Sequence, residues 1–244
     1  MSQLGLALEA DVSARHLSFL ETGRSRPSRE MILRLADHLD VPLRERNALL
    51  LAAGFAPAYP RRPLDAPALQ PAMDAVRRVL AGHEPYPALA VDRHWTLVAA
   101  NRALAPLLAG ISPEMLSPPL NVLRLSLHPD GLAPRIANLG QWRAHLLERL
   151  RRQVDASADG VLAALLGELG TYPGSRPGEP DFARADVGVA VPLVLRSGVG
   201  DLSFLSTTMV FGTPIDVSLA ELAIEAFFPA DAATADALRR LAAE

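Results

Sequence analysis

The 244-residue chain contains no cysteine. That excludes a disulfide framework, a thiolate nucleophile and any cysteine-ligated zinc or iron–sulfur centre. Lysine is absent as well, and all 24 basic residues are arginine. Every cation is therefore a planar fork suited to phosphate and to guanine edges. Half the residues are apolar, yet no run approaches the roughly 18 uninterrupted apolar residues that cross a bilayer. A soluble protein without a membrane partner is expected. Met1 to Ala10 lacks a basic segment and a clean apolar stretch, so no leader is expected and a cytoplasmic address fits. The six histidines, His16, His38, His83, His94, His128 and His145, form no i, i+4 pair with a glutamate such as a zinc hydrolase helix needs. No G-x-S-x-G, P-loop or G-x-G-x-x-G stretch occurs, and "SGVGD" at 197–201 reads as a hairpin turn. Neither a catalytic residue nor a metal nor a cofactor is predicted.

What is present divides in two. Residues 1–62 carry nine Arg against seven acidic residues, and the remainder carries fifteen against twenty. A net of +2 against −5 is too small an asymmetry to establish a nucleic-acid partner by itself. Residues 1–56 read as four short helices with clear punctuation. Ser13 and Ser28 stand where N-caps belong, Gly23 and Gly54 close helices, and Pro42 opens the last one. Prolines at 57, 60, 63, 67 and 71 forbid a continuous helix, so 57–70 reads as a linker. From 71 to 244 the pattern changes. "PAMDAVRRVLAG" is an amphipathic helix, "ALAVDRHWTLVAAN" two strands about a turn, and "RALAPLLAG" a helix. A helical stretch runs from Leu132 to Leu169, then a Gly- and Pro-rich loop. Three strand-like runs finish the chain: "VGVAVPLVL", "DLSFLSTTMVF" and "SLAELAIEAFF". The last also fits a helix through Leu219, Leu222, Ala223 and Ala226, but is assigned as a strand over Val217–Phe228 because Pro229-Ala230-Asp231 stops it. The fold class is thus multi-domain. An all-α helix-turn-helix bundle precedes an α+β domain with an antiparallel sheet of about five strands, its helices over one face.

The segment "SQLGLALEADVSARHLSFLETG" supplies, in order, the parts of a helix-turn-helix: a first helix, a tight turn, and a second helix with outward polar residues. Gln3 places an amide near a helix N-terminus, where a phosphate is favoured. Ser13, Ala14, Arg15, His16 and Ser18 occupy the start and outer side of the second helix. Arg15 is the candidate for bidentate contact with guanine, worth roughly 1–3 kcal/mol of discrimination. Arg24 and Arg26, just beyond, suit backbone phosphates. The plain alternative is that these are the solvated faces of a small bundle.

"SQLGLALEADVSARHLSFLETGRSRPSREMILRLADHLDVP" resembles the lambda-repressor-like, XRE-type helix-turn-helix domain. "YPALAVDRHWTLVAANRA" and "LSFLSTTMVFGTPIDVSLAELAIEAFFPADAATADAL" resemble the MmyB-like transcription regulators. The resemblance implies a DNA-binding domain joined to a PAS-like domain with an internal pocket for a fatty acid or another small apolar ligand. XRE-type domains have five helices, and this chain begins where the second would stand. The expectation is a start codon upstream, with Leu4, Leu20 and Leu35 left exposed without the first helix.

A ligand under an open sheet would be lined by alternate strand positions and by the covering helices. The candidates are Trp95, Leu97, Phe204, Thr208 and Leu222, with Leu104, Leu108 and Leu146 from helices. Asn101 and Arg143 are candidates to orient a polar head. Each has a simpler role open to it: core packing, a helix cap for Asn101, a surface pair with His145 or Glu148 for Arg143. Two functions remain open. One is a transcription regulator, expected to be a homodimer on two-fold double-stranded DNA sites. The other is a small-molecule binding or interaction protein that does not bind DNA because its helix-turn-helix is incomplete.

Overall fold

The computed structural model describes residues 2–174 and 190–243. The first strand-like run, 187–195, and the Gly- and Pro-rich loop lie partly outside the described residues. The chain forms two compact units, Met1–Gln70 with Phe211–Glu221, and Pro71–Val210 with Leu222–Glu244.

The first unit holds α1 (Gln3–Glu9), α2 (Ala14–Glu21), α3 (Arg29–His38) and α4 (Leu43–Ala52). Serine hydroxyls cap the first three. Ser2 accepts from the Gly5 amide at 3.0 Å, Ser13 from His16 at 3.1 Å and Ser28 from Met31 at 3.2 Å. Each cap satisfies an amide that has no partner within the helix, an effect of about 1 kcal/mol. Gly23, at φ +69°, follows α2 in the left-handed region that a side chain disfavours. Ala7, Ala10, Leu17, Ile32, Ala36 and Leu50 are buried. Leu4 is 62% exposed and Leu8 74%, whereas Leu20 and Leu35 are half-buried, better covered than expected.

The proline-rich stretch is less independent than a linker reading implies. Asn47 of α4 donates to the Tyr59 carbonyl at 2.7 Å and accepts from the Ala58 and Tyr59 amides. The Pro60 carbonyl accepts from Val217 at 2.9 Å, and Arg62 pairs with the buried Asp216 at 2.9 Å. Segment 211–221, read from sequence with the second domain, thus has its partners in the first unit. Its short helix α9 (Val217–Ala220) packs on α4. This corrects the single strand expected over Val217–Phe228. Asp216 caps the Ser218 amide and starts a helical turn, so extended backbone begins only at Ala223.

The second unit contains α5 (Gln70–Gly82), β1 (Ala88–Val91), β2 (Leu97–Ala100), α6 (Val122–Leu127), α7 (Leu139–Ser157), α8 (Gly160–Thr171), β3 (Leu193–Ser197), β4 (Gly200–Val210), β5 (Ala223–Pro229) and α10 (Ala232–Leu241). The strands form one antiparallel sheet in the order β2-β1-β5-β4-β3. All of β1 is buried, so both faces of the sheet are covered there, against the expectation of helices on one face. Leu89 and Val91 join the main core with Trp142, Leu146, Leu150, Leu195 and Phe204. Ala88 and Ala90 point the other way. His83, just past α5, stacks edge-on against Phe228 with ring centroids 4.7 Å apart, which sets the end of α5 on that second face. The stretch "RALAPLLAG" is a 3-10 helix, Arg102–Leu108, rather than an α-helix. Pro106 at its centre has no amide to give to an i−4 ladder.

Candidate functional site

In the first unit, the expected DNA-facing residues gather along α2 and the loop after it. Arg15 is exposed, and its guanidinium lies over the Phe19 ring, 5.3 Å from the centroid. An i, i+4 contact of this kind holds the side chain along the outer face of the helix. His16, Ser18 and Ala14 are half-buried; Arg24 and Arg26 are exposed. Two expected contacts are engaged within the protein. The Ser13 hydroxyl caps α2, and the Gln3 amide donates to Glu21 at 2.5 Å, which places a carboxylate beside the group expected to meet a phosphate.

The second unit encloses a cavity of about 100 Å³ between the sheet and α6, α7 and the 3-10 segment. Six of the sequence-derived candidates line it: Trp95, Leu97, Leu104, Leu108, Leu146 and Phe204. Four do not. Leu222 is buried outside the wall. Thr208 is exposed at the cavity's edge. Asn101 lies outside the wall and makes no capping bond to the 3-10 segment it precedes. Its carbonyl accepts from Ala88 at 3.0 Å, and its amide donates to the carbonyls of Leu80 at 3.1 Å and Tyr86 at 2.7 Å. It is a bracket joining the end of α5 to β1. Arg143 donates to the carbonyls of Leu169 and Gly170 at the end of α8, an orientation away from the cavity.

The wall has one charged spot, which the sequence reading missed. Arg149 donates to Glu225 at 3.0 Å and 2.7 Å and to the Thr208 hydroxyl at 2.8 Å; Thr208 in turn donates to Glu225 at 2.9 Å. The Trp95 ring lies over the guanidinium at 4.5 Å. His145, stacked on Trp142, is held below the ordinary histidine range by burial and by the nearby charges of Arg149 and Arg152, so it adds no charge here at neutral pH. Helix spacing was the available signal. Trp142, Leu146 and Arg149 fall at i, i+4 and i+7, one face of α7; Arg143 lies a step around from Trp142. On β5 the inward residues are Glu225 and Phe227, in odd phase.

Nowhere among the described residues do three or more His, Cys, Asp or Glu side chains converge as a metal site would require. No helix of the described residues is long and apolar enough to cross a membrane.

Comparison with known families gives two matches. Residues 72–241 match the family described as MmyB-like transcription regulator ligand binding domain, and residues 1–46 match a helix-turn-helix family. No curated protein matches the chain.

Proposed function

The chain belongs to the MmyB-like transcription regulator ligand binding domain family, and from that premise we propose a sequence-specific DNA-binding regulator whose cavity takes a small apolar ligand of fatty-acyl type. Its two matched domains are those of a ligand-responsive transcription regulator. The observation that carries the finer reading is the cavity wall, apolar except for Arg149, Glu225 and the serines Ser126 and Ser206. Such a wall favours an occupant that is mostly hydrocarbon. At about 100 Å³ the cavity falls short of the roughly 300 Å³ at which drug-sized sites begin. A long-chain occupant must therefore widen it, which supplies the difference between two states that a ligand needs to shift an equilibrium. β4 and β5 both contribute to the wall, and the chain joining them, 211–221, belongs to the helical unit.

The protein acts in the cytoplasm as a homodimer on a two-fold site, the usual symmetry for helix-turn-helix operators. Arg15 reads a guanine edge; Arg24 and Arg26 hold phosphates. It acts by binding rather than by catalysis. The test is a mobility shift on the DNA upstream of its own gene, with native mass spectrometry of protein purified from its host. A shift that Arg15→Ala abolishes, and a co-purified acyl lipid whose removal changes the shift, are the expected results. A wild-type protein that retards no DNA in salt sufficient to suppress non-specific binding leaves only the binding protein.

A further inference from the structure

We infer that the cavity takes an amphiphile whose polar end is uncharged, an alcohol, amide or ester, in preference to an ionised carboxylate. This rests on the reading of the cavity as the ligand site. Arg149 is the one cation among the described wall residues, and Glu225 the one anion. Glu225 is 4% exposed. Its carboxylate receives two hydrogen bonds from Arg149 and one from Thr208. Of the five N–H groups that an arginine carries, three are directed at Glu225 and Thr208. Trp95 covers a face of the guanidinium.

The cation that would attract an acid is therefore already neutralised from within the wall. A ligand carboxylate entering beside it would be a second anion on one guanidinium, out of water, where like charges are costly. Displacing Glu225 instead would leave that carboxylate buried without its partner. An uncharged oxygen meets neither cost. It requires only a hydrogen bond, and the hydroxyls of Ser126 and Ser206 stand in the same wall. Ser126 already accepts from the Trp142 indole at 3.0 Å, which leaves its own proton to donate.

The chain has only two tryptophans, and both line the cavity. Tryptophan emission, excited beyond the tyrosine absorption band, thus reports on this site. The experiment titrates the full chain at pH 8 with decan-1-ol, decanamide and decanoate, each below its aggregation concentration. The alcohol and amide are expected to change the emission with Kd values at least tenfold below that of decanoate. In Glu225→Gln, checked for folding by circular dichroism, Arg149 is released. Decanoate should then tighten at least tenfold while decan-1-ol moves less than threefold. Should that variant not fold, the wild-type comparison decides alone. Decanoate binding wild type as tightly as decan-1-ol overturns the uncharged head and leaves the acyl site standing. Silence from all three compounds overturns the ligand-site reading itself.

Discussion

Arg44 grips Glu221 through two hydrogen bonds of 2.6 Å, joining residues 177 positions apart in sequence. The pair fixes the end of segment 211–221 to α4, beside the Val217–Pro60 and Arg62–Asp216 contacts. Both side chains keep about a quarter of their exposure, so solvent screens the pair and its contribution to stability is about 1 kcal/mol. Its larger effect is local. Arg44→Ala should leave the melting temperature within a few degrees of wild type while amide exchange at Val217 and Ser218 quickens at least tenfold. The charge-reversed pair, Arg44→Glu with Glu221→Arg, should restore protection. Unchanged exchange in Arg44→Ala would show that the segment is held without this pair.

Asn101 joins three backbone groups, two of which, the Ala88 amide and the Tyr86 carbonyl, have no other partner among the described contacts, while the Leu80 carbonyl also accepts from the His83 amide at 3.2 Å. Asn101→Ala leaves the Ala88 amide and the Tyr86 carbonyl without the side chain that satisfies them, and buried unsatisfied groups cost roughly 1–3 kcal/mol each. A loss of about 3 kcal/mol in urea denaturation is expected, since the site can relax in part. The affinity of the remaining folded protein for decan-1-ol should not change. A selective loss of affinity at unchanged stability would return Asn101 to the ligand site.

The misassigned wall residues share one form of error, a misplaced phase. Four helices, the caps Ser13 and Ser28 and the existence of the strands were readable because caps and period-two or period-3.6 patterns are local. Leu222 was assigned inward because β5 was assumed to begin at Val217. The turn of α9 shifts the strand start, and one residue of slip exchanges the two faces, which puts Glu225 in the wall and leaves Leu222 outside it. The choice of Arg143 is the same error on a helix, where Arg149 holds the inward position. α6 went unread because six residues are too few to display a period. That Glu225 meets Arg149 depends on β5 lying opposite α7, a relation no local pattern contains.

Two carboxylates make the fold sensitive to acid. Burial by itself would raise Asp159, but hydrogen bonds from His94 and from the Val161 and Leu162 amides, with the charge of Arg93, outweigh it and hold the carboxyl at about 2. Glu168 is held at about 2 chiefly by hydrogen bonds from Arg124, against burial and with help from Tyr172. Both folded values lie below the unfolded ones, near 3.9 and 4.3. The unfolded chain therefore binds more protons in this range, and stability present at neutral pH is lost as pH falls from about 5 toward 2. Asp159, with its side chain 10% exposed, contributes about 2 kcal/mol; Glu168, at 36%, contributes less because solvent screens it. Asp159→Asn keeps a capping oxygen and removes the charge. Urea midpoints measured from pH 7 to pH 2 should fall less steeply for Asp159→Asn than for wild type, and parallel curves would refute the assignment.

Gly131 tolerates no side chain. A Cβ there would stand 2.2 Å from the Leu125 carbonyl oxygen, which accepts from the Leu132 amide at 2.8 Å and cannot retreat without breaking that bond. Leu125 and Leu132 both line the cavity. Gly131→Ala is expected to lower stability by about 1–3 kcal/mol through overpacking and to shift tryptophan emission before any ligand is added. Wild-type stability and emission in this variant would mean that the turn 128–132 is not packed as described.

Arg24 and Arg26 separate affinity from sequence preference. Both are exposed just beyond α2, past the Gly23 turn, and a phosphate contact neutralises charge without reading a base. Arg24→Ala or Arg26→Ala should weaken binding to every duplex by a similar factor and reduce the slope of log K against log salt by about 1. Arg15→Ala should act differently. With Arg15 on the outer face of α2, its loss should reduce preference for the operator over scrambled DNA by about 1–3 kcal/mol, equivalent to roughly fivefold to 150-fold. Titrations of operator and scrambled duplexes at several salt concentrations distinguish the two behaviours. If Arg15→Ala lowered affinity for both duplexes equally, Arg15 would be another phosphate contact, and base reading would have to come from His16 or Ser18 on the same helix.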